Sequence, residues 1–188
     1  LYQLHNPPRE VIESSAVWDT LRELKDKTRI AHYGISIGKP EEGIVAIEKG
    51  GVETIQVVYN LLNREAAKEL FDAASKQSVG IIVRVPLASG LLTGKYKPGD
   101  AFAGADHRKD SYPPEKLAAT LARVEKLRFL SEGTGRTLAQ AALKFCLAHP
   151  AVSVVIPGIK TPAQAEENIA AAAAPDLTPD ELARIEAV

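Results

Sequence analysis

Polar residues able to do chemistry close successive apolar runs in this sequence: His5-Asn6, Ser36, Gln56 with Tyr59-Asn60, Arg84, and Pro157-Gly158 leading to Lys160. Together they offer groups to orient a carbonyl, to hold an amide and to bind a phosphate. A lone histidine such as His5 is as a rule satisfied by nearby backbone, and Ser36 ends a strand as many serines do. Gln56 is more telling. Inside Thr-Ile-Gln-Val-Val its amide is buried at a cost unless a partner meets it, and that partner is either internal to the fold or a ligand. Arg84 follows Ile-Ile-Val, which would bury its guanidinium unless it emerges at a site. Pro157-Gly158-Ile159-Lys160 runs into a helix start at Thr161. Backbone N–H groups, the positive helix end and the Lys160 charge there favour an anion, most naturally a phosphate. An ordinary turn with a solvated lysine is the plain alternative.

Other chemistries are excluded by the same reading. No G-x-G-x-x-G occurs, so the Rossmann fingerprint is absent. Gly90-Leu91-Leu92-Thr93-Gly94-Lys95-Tyr96 is one residue short of a P-loop and has Tyr where the magnesium-binding hydroxyl belongs. His5, His32, His107 and His149 lack chelating spacing, and no metal is expected. Cys146, between Phe145 and Leu147, reads as packing rather than as a nucleophile. The chain has 23 basic and 24 acidic residues and a net charge of -1. That balance carries no footprint for nucleic acid or an anionic membrane. No uncharged apolar run approaches the roughly 18 residues of a membrane span, and Leu-Tyr-Gln-Leu-His lacks the layout of a signal peptide. A single cysteine makes no internal disulfide, so a reducing, cytoplasmic setting is expected.

The elements that must position these residues follow from periodicity. Strands are expected at Leu1 to His5, Ala31 to Ile37, Thr54 to Tyr59, Val79 to Val85 and Val152 to Ile156, nearly continuous in Val and Ile as in a parallel sheet covered on both faces. Helices are expected between them. Ser14 and Ser15 offer caps ahead of Val17, Leu21 and Leu24. Pro40-Glu41-Glu42 opens a helix whose buried face is Ile44, Ile47 and Val45. Ala66 to Lys76 places Leu70, Phe71 and Ala74 inward. Pro86 to Pro114 reads as one long functional loop of about 30 residues, its Lys95–Pro114 part made polar by Asp100, Asp106, His107, Arg108 and Lys109 and so expected to be mobile. Beyond it, Leu117, Leu121, Val124 and Leu127 mark one helix and Leu138, Ala142 and Phe145 another. Thr161-Pro162-Ala163-Gln164 is a capping-box signature for a helix through about Ala173, and Thr178-Pro179-Asp180-Glu181 repeats it for a final helix.

Five strand-then-helix units imply parallel strands, either in an open doubly wound sheet or in part of an eight-stranded barrel. The 188 residues, 45% hydrophobic and 25% charged, suffice for one core, whereas a whole barrel needs about 200 to 250 or more. With no Met and an opening inside a strand, the chain is expected to be a piece of a longer protein lacking its N-terminal part. In either architecture ligands bind at the carboxyl ends of the strands, where the polar residues above stand.

These segments, taken together and in order, resemble the aldo-keto reductase superfamily in its bacterial and plant oxidoreductase-like branch. The matching pieces are Leu-Tyr-Gln-Leu-His-Asn-Pro, His32 to Ser36, Ile55 to Asn60, Arg84 to Lys95, and Ile156-Pro157-Gly158 through Gln164 to Glu167-Asn168. The resemblance implies a (β/α)8 TIM barrel, with this chain as a single domain from the fourth strand to the C-terminus. It implies an oxidoreductase that uses NADP(H) to reduce a small-molecule aldehyde or ketone by direct hydride transfer. His5 corresponds to the histidine that orients the substrate carbonyl, and Ser36 and Gln56 to the residues that hold the nicotinamide carboxamide. Val85, Leu87 and Gly90 lie in the segment that covers the pyrophosphate. Gly158, Lys160, Thr161 and Gln164 correspond to the binder of the 2′-phosphate, and Asn168 to the residue at the adenine edge. Arg84 stands where relatives often stack an aromatic ring on the nicotinamide, a place a planar guanidinium can also fill. Ile37 stands where many relatives have Asn. The family's proton donor, a tyrosine activated by a lysine–aspartate pair, is matched by none of Tyr2, Tyr33, Tyr59, Tyr96 and Tyr112, so the 188 residues alone are expected to be inactive.

Two other readings stay open at this point. One is an NADPH-binding accessory subunit of the potassium-channel β type, which shares the fold and acts through a membrane partner. The other is a different phosphate-binding barrel enzyme, an aldolase or isomerase, although no Schiff-base lysine stands at a strand end.

Overall fold

The strands lie in the computed structural model where the apolar runs placed them; it describes residues 1–97, 99–102, 104–106 and 108–188, so His107 falls outside the described residues. They are β1 (Tyr2–His5), β2 (Tyr33–Ser36), β3 (Thr54–Val58), β4 (Gly80–Arg84) and β5 (Val152–Ile156). The sheet runs in the order β1-β2-β3-β4-β5, and every neighbouring pair is parallel. This order lacks the reversal that a doubly wound sheet shows at its switch point. It agrees with part of a TIM barrel.

The chain forms two compact units. The first comprises Leu1–Tyr59, Asn63–Arg84 and His149–Ile156 and contains the whole sheet. Its helices are α1 (Arg9–Ile12), α2 (Ser15–Asp26), α3 (Pro40–Val45), which continues into a π-helical turn (Ala46–Gly50), and α4 (Leu70–Lys76), preceded by a 3₁₀ turn (Glu65–Ala67). The helix expected over 66–76 is thus broken near its start. Ser14 stands at the cap of α2, but its side chain makes no cap bond. Leu70, Phe71 and Ala74 are buried as expected, with Trp18, Ile35, Ile55, Val57, Ile81 and Val83.

The buried face of α3 departs from expectation. Ile44, Val45 and Ile47 are only half-buried, whereas Gly43, Ala46 and Gly50 are buried. The reason is close approach. A Cβ on Gly43 would lie 2.7 Å from a Leu70 methyl, and one on Gly50 2.8 Å from the Trp18 ring. Small residues let this helix lie against bulky neighbours, so apolar size alone misreads its inner face.

The second unit comprises Asn60–Leu62, Val85–Ala148 and Pro157–Val188. It holds a 3₁₀ turn (Ala88–Thr93), α5 (Arg108–Ser111), α6 (Pro114–Glu125), a second 3₁₀ turn (Arg128–Leu130), α7 (Leu138–Ala148), α8 (Pro162–Ala170) and α9 (Pro179–Glu186). The stretch from Pro86 to Pro114 therefore carries structure of its own, and α8 stops short of Ala173. Leu117, Leu121, Val124 and Leu127 are buried, as are Leu138, Ala142 and Phe145. Arg136 ties the end of the chain to this core. Its Nε donates to the Leu130 carbonyl at 2.8 Å and its Nη1 to the Asp176 carbonyl at 3.0 Å, while Nη2 pairs with Glu181 of α9. Among the described residues no helix is long and apolar enough to cross a membrane.

Candidate functional site

In the first unit the pairing register sets three of the expected site residues abreast. His5 pairs with Ser36, Ser36 with Gln56, and Gln56 with Ile82. Residues abreast on parallel neighbours share a face, and successive residues alternate. On β3 the two residues flanking Gln56, Ile55 and Val57, are 0% and 2% exposed and form the core with the helices. Gln56 therefore stands on the opposite face, with His5 and Ser36 in the same row.

That face carries polar groups beside Val58 and Ile82, and several of them are unsatisfied. Ser36 is 2% exposed and its Oγ has no partner. Gln3 Nε2, Thr54 Oγ1 and Arg84 Nε are also buried without partners, in rows that share this face. A buried unpaired group costs about 1–3 kcal/mol, so their gathering marks a surface suited to a hydrogen-bonding guest. Arg84 is partly used by the fold, since its Nη2 donates to the Ile37 carbonyl at 3.0 Å. His5 is exposed, 3.4 Å from the side chain of Asn6.

Glu53, His149 and Cys146 are engaged elsewhere. Glu53 accepts from Lys25 at 2.8 Å, His32 at 2.7 Å and the Tyr33 N–H at 3.2 Å. Burial alone would raise its carboxyl, but these bonds outweigh it and hold the group at about 2. His149 lies edge-on to Phe71 at 4.7 Å, and burial pushes its imidazole down. Burial pushes the Cys146 thiol up to about 12, as befits packing rather than nucleophilic work. Among the described residues no group of three or more His, Cys, Asp or Glu is placed to hold a metal.

The second unit contains a cleft of about 630 Å³ that brings together Val85, Leu87, Gly90, Gly158, Lys160, Gln164 and Asn168. Thr161 is not in its lining. It caps α8 instead, its Oγ accepting from the Gln164 N–H at 3.3 Å. The expected capping box closes differently: Gln164 Oε1 accepts from the Lys160 N–H at 2.7 Å, one residue before the cap. Asn168 Nδ2 is buried without a partner.

Lys95 and Arg108 also line this cleft, so with Lys160 three cations border it against Glu167. Arg108 Nη1 donates to the Ser89 carbonyl at 3.0 Å and to the Tyr96 hydroxyl at 2.7 Å, and Nε and Nη2 bind Asp106. Its guanidinium lies 4.2 Å over the Phe102 ring. Asp106 and Arg108 of this stretch thus pack with Tyr96 and Phe102, whereas Asp100 and Lys109 are exposed. Nothing in periodicity marks Arg108, because its role comes from contacts with residues about 12 and 19 positions away.

The sequence matches the aldo/keto reductase family over residues 1–188. It is 29% identical over 182 residues to an uncharacterized oxidoreductase, YqkF, of Bacillus subtilis, covering 97% of this chain and 57% of that protein. It is 35% identical over 139 residues to a probable voltage-gated potassium channel subunit beta of Oryza sativa subsp. japonica, covering 71% of this chain and 42% of that protein. The solved structure of the aldo-keto reductase AKR11C1 from Bacillus halodurans, in its holo form, superposes with a TM-score of 0.76 at 29% identity, covering 99% of this chain and 57% of that one. The chain spans about half the length of the relatives it matches.

Proposed function

We propose that this chain, which belongs to the aldo/keto reductase family, supplies strands four to eight of a (β/α)8 barrel and, in the whole protein, serves the NADPH-dependent, metal-independent reduction of an aldehyde or ketone. The observation that carries this reading is the row of His5, Ser36 and Gln56 on the polar face of the sheet, with the Ser36 hydroxyl buried and unpaired. The residues fit a dinucleotide: amide and hydroxyl groups lack partners on the sheet, Asn168 lacks one in the cleft, and the cleft is lined by cations.

When bound, the reduced nicotinamide supplies the hydride that reaches the carbonyl carbon. His5 hydrogen-bonds the carbonyl oxygen and fixes its direction. Ser36 and Gln56 hold the carboxamide, so that one ring face is presented. Arg84 offers a planar surface at the end of β4. The backbone of Val85, Leu87 and Gly90 covers the pyrophosphate. Gly158, Lys160, Thr161 and Gln164 take the 2′-phosphate at the mouth of α8, and Asn168 meets the adenine edge. No tyrosine of this chain is assigned as proton donor. General acid catalysis is worth about 10²- to 10⁴-fold, so the 188 residues with NADPH and 4-nitrobenzaldehyde should show no saturable turnover.

Titration tests the cofactor. NADPH should bind more tightly than NADH and than sugar phosphates, and Lys160→Ala should remove most of that preference while leaving NADH unchanged. Equal affinity for NADPH and NADH, or tighter binding of a sugar phosphate, would refute the reading. The likeness to a potassium channel β subunit supports a second reading, an NADPH-binding subunit that acts through a partner. Cofactor binding without turnover in the whole protein, with co-purification of a membrane protein, would favour it.

A further inference from the structure

The turn after β4 begins against its own sequence. Val85 is β-branched and precedes Pro86, and both features drive a residue toward extended backbone. Its φ is nevertheless +55°. A β-branched residue persists in the left-handed region only where its surroundings over-determine it. Left-handed backbone returns after Leu87, whose φ is -96°, at Ala88 (+47°), Ser89 (+57°) and Gly90 (+91°).

A side chain from another part of the sequence reaches this strained start. Asn60 is 3% exposed. Its Nδ2 donates to the Val85 carbonyl at 3.0 Å, and its Oδ1 accepts from the Leu62 N–H at 2.9 Å. The second bond is a local turn of the Asx kind. The first spans 25 residues of sequence and is not needed for that turn. The Val85 carbonyl also accepts from the Ala88 N–H at 3.1 Å, so the Asn60 bond sits at the point where the turn closes.

We propose that Asn60 is a positioning residue: by holding the Val85 carbonyl it keeps Val85 left-handed and so fixes the turn through Gly90, whose Val85, Leu87, Ser89 and Gly90 line the cleft, in the shape that covers a dinucleotide's pyrophosphate. The identity of that ligand rests on the function proposed above; the clamp itself does not.

The test compares Asn60→Ala, Asn60→Ser, Val85→Gly and the two double variants. NADPH affinity is read by fluorescence titration, 2′-AMP affinity by calorimetry and stability by melting temperature. Asn60→Ala should weaken NADPH about tenfold, the scale of one buried hydrogen bond, and leave 2′-AMP, which needs only the Gly158–Asn168 side, within about twofold. Asn60→Ser keeps the local turn but cannot reach Val85, so it should match Asn60→Ala on NADPH even if the alanine variant folds poorly. Glycine adopts positive φ without a holder. In the Val85→Gly background the loss on removing Asn60 should therefore shrink to under about threefold. Equal weakening of NADPH and 2′-AMP, or the same loss in both backgrounds, would overturn the proposal. Should the unmodified chain bind neither NADPH nor 2′-AMP, the cofactor reading and the ligand role of Asn60 both fall. The clamp is then judged separately: Asn60→Ala must lower the melting temperature less in the Val85→Gly background, and an equal drop refutes it.

Discussion

The sheet of the first unit and the turn after β4 in the second place functional atoms by opposite means. On the sheet the backbone is regular, and function lies in which side chain occupies each register position. A slip of one residue would turn Gln56 into the helix-packed layer and Ile55 or Val57 onto the polar face. In the turn it is the backbone that lines the cleft and that, on the function proposed above, meets the cofactor. It holds a conformation its residues disfavour, and side chains from elsewhere, Asn60 on Val85 and Arg108 on Ser89, keep it there. Packing thus secures the first arrangement, while in the second polar contacts add to the packing of Ala88, Leu91 and Leu92.

The contrast is sharpened first by substitutions in each unit's interior. Phe71 is fully buried, with ring contacts to Tyr59 at 4.9 Å and His149 at 4.7 Å. Phe71→Ala should cost about 3–5 kcal/mol through the cavity it leaves, read by thermal or urea denaturation. In the second unit Glu181→Ala leaves Arg136, 7% exposed, bonded to carbonyls but without its counter-charge. We expect a loss of about 3 kcal/mol, within the range for breaking a buried pair, with Glu181→Gln recovering about half because a hydrogen bond survives. A Glu181→Ala loss below about 0.5 kcal/mol, typical of a surface position, would erase the distinction.

Glu53 breaks the pattern in the other direction, since it is a polar tie in the packing-dominated unit. Its folded carboxyl sits at about 2 against an ordinary 4.5. A depressed carboxyl contributes stability that is fully present above about pH 4.5 and is lost as the pH falls toward 2. Its side chain is 29% exposed, and solvent screening limits the effect to about 2 kcal/mol or less. Glu53→Gln should flatten the decline in melting temperature between pH 4.5 and 2 and leave the profile above pH 5 parallel to that of the parent. An unchanged acid limb would mean that other carboxylates govern it.

What could be read from the sequence divides along the same line. Strands and the placing of polar residues at their ends follow from Val/Ile runs and from spacing, whereas spacing leaves the strand order open between a doubly wound sheet and part of a barrel, and only the pairing decides it. Gln56 was legible for this reason: an amide in such a run demands a partner. The face of α3 was not, because Gly43 and Gly50 are buried for the room they leave to Leu70 and Trp18, and periodicity scores only apolar size. Nor were the roles of Asn60 and Arg108, whose partners lie 25 and 19 residues away and obey no period. Caps fall between, since the signature is local but the bonds it makes depend on the backbone around it.

The two caps of the second unit give the smallest effects and separate structure from function most finely. Thr178 closes a full box: its Oγ accepts from the Glu181 N–H at 3.2 Å, and Glu181 Oε2 accepts from the Thr178 N–H at 2.8 Å. Thr178→Ala should cost about 1 kcal/mol. Thr161 has only the longer 3.3 Å bond from Gln164, whose Oε1 is taken by the Lys160 N–H. Thr161→Ala should therefore cost less, about 0.5 kcal/mol. Binding should rank the two the other way. The Gln164 bond fixes the backbone of Lys160 at the mouth of α8, where the function proposed above puts an anion at the helix dipole, and loss of the Thr161 hydroxyl would remove a donor from that mouth. Thr161→Ala should weaken 2′-AMP several-fold by calorimetry, whereas Thr178→Ala should leave it unchanged. If both variants bind 2′-AMP alike, the offset bond from Lys160 to Gln164 is only a variant cap, and the mouth of α8 loses its claim to the phosphate.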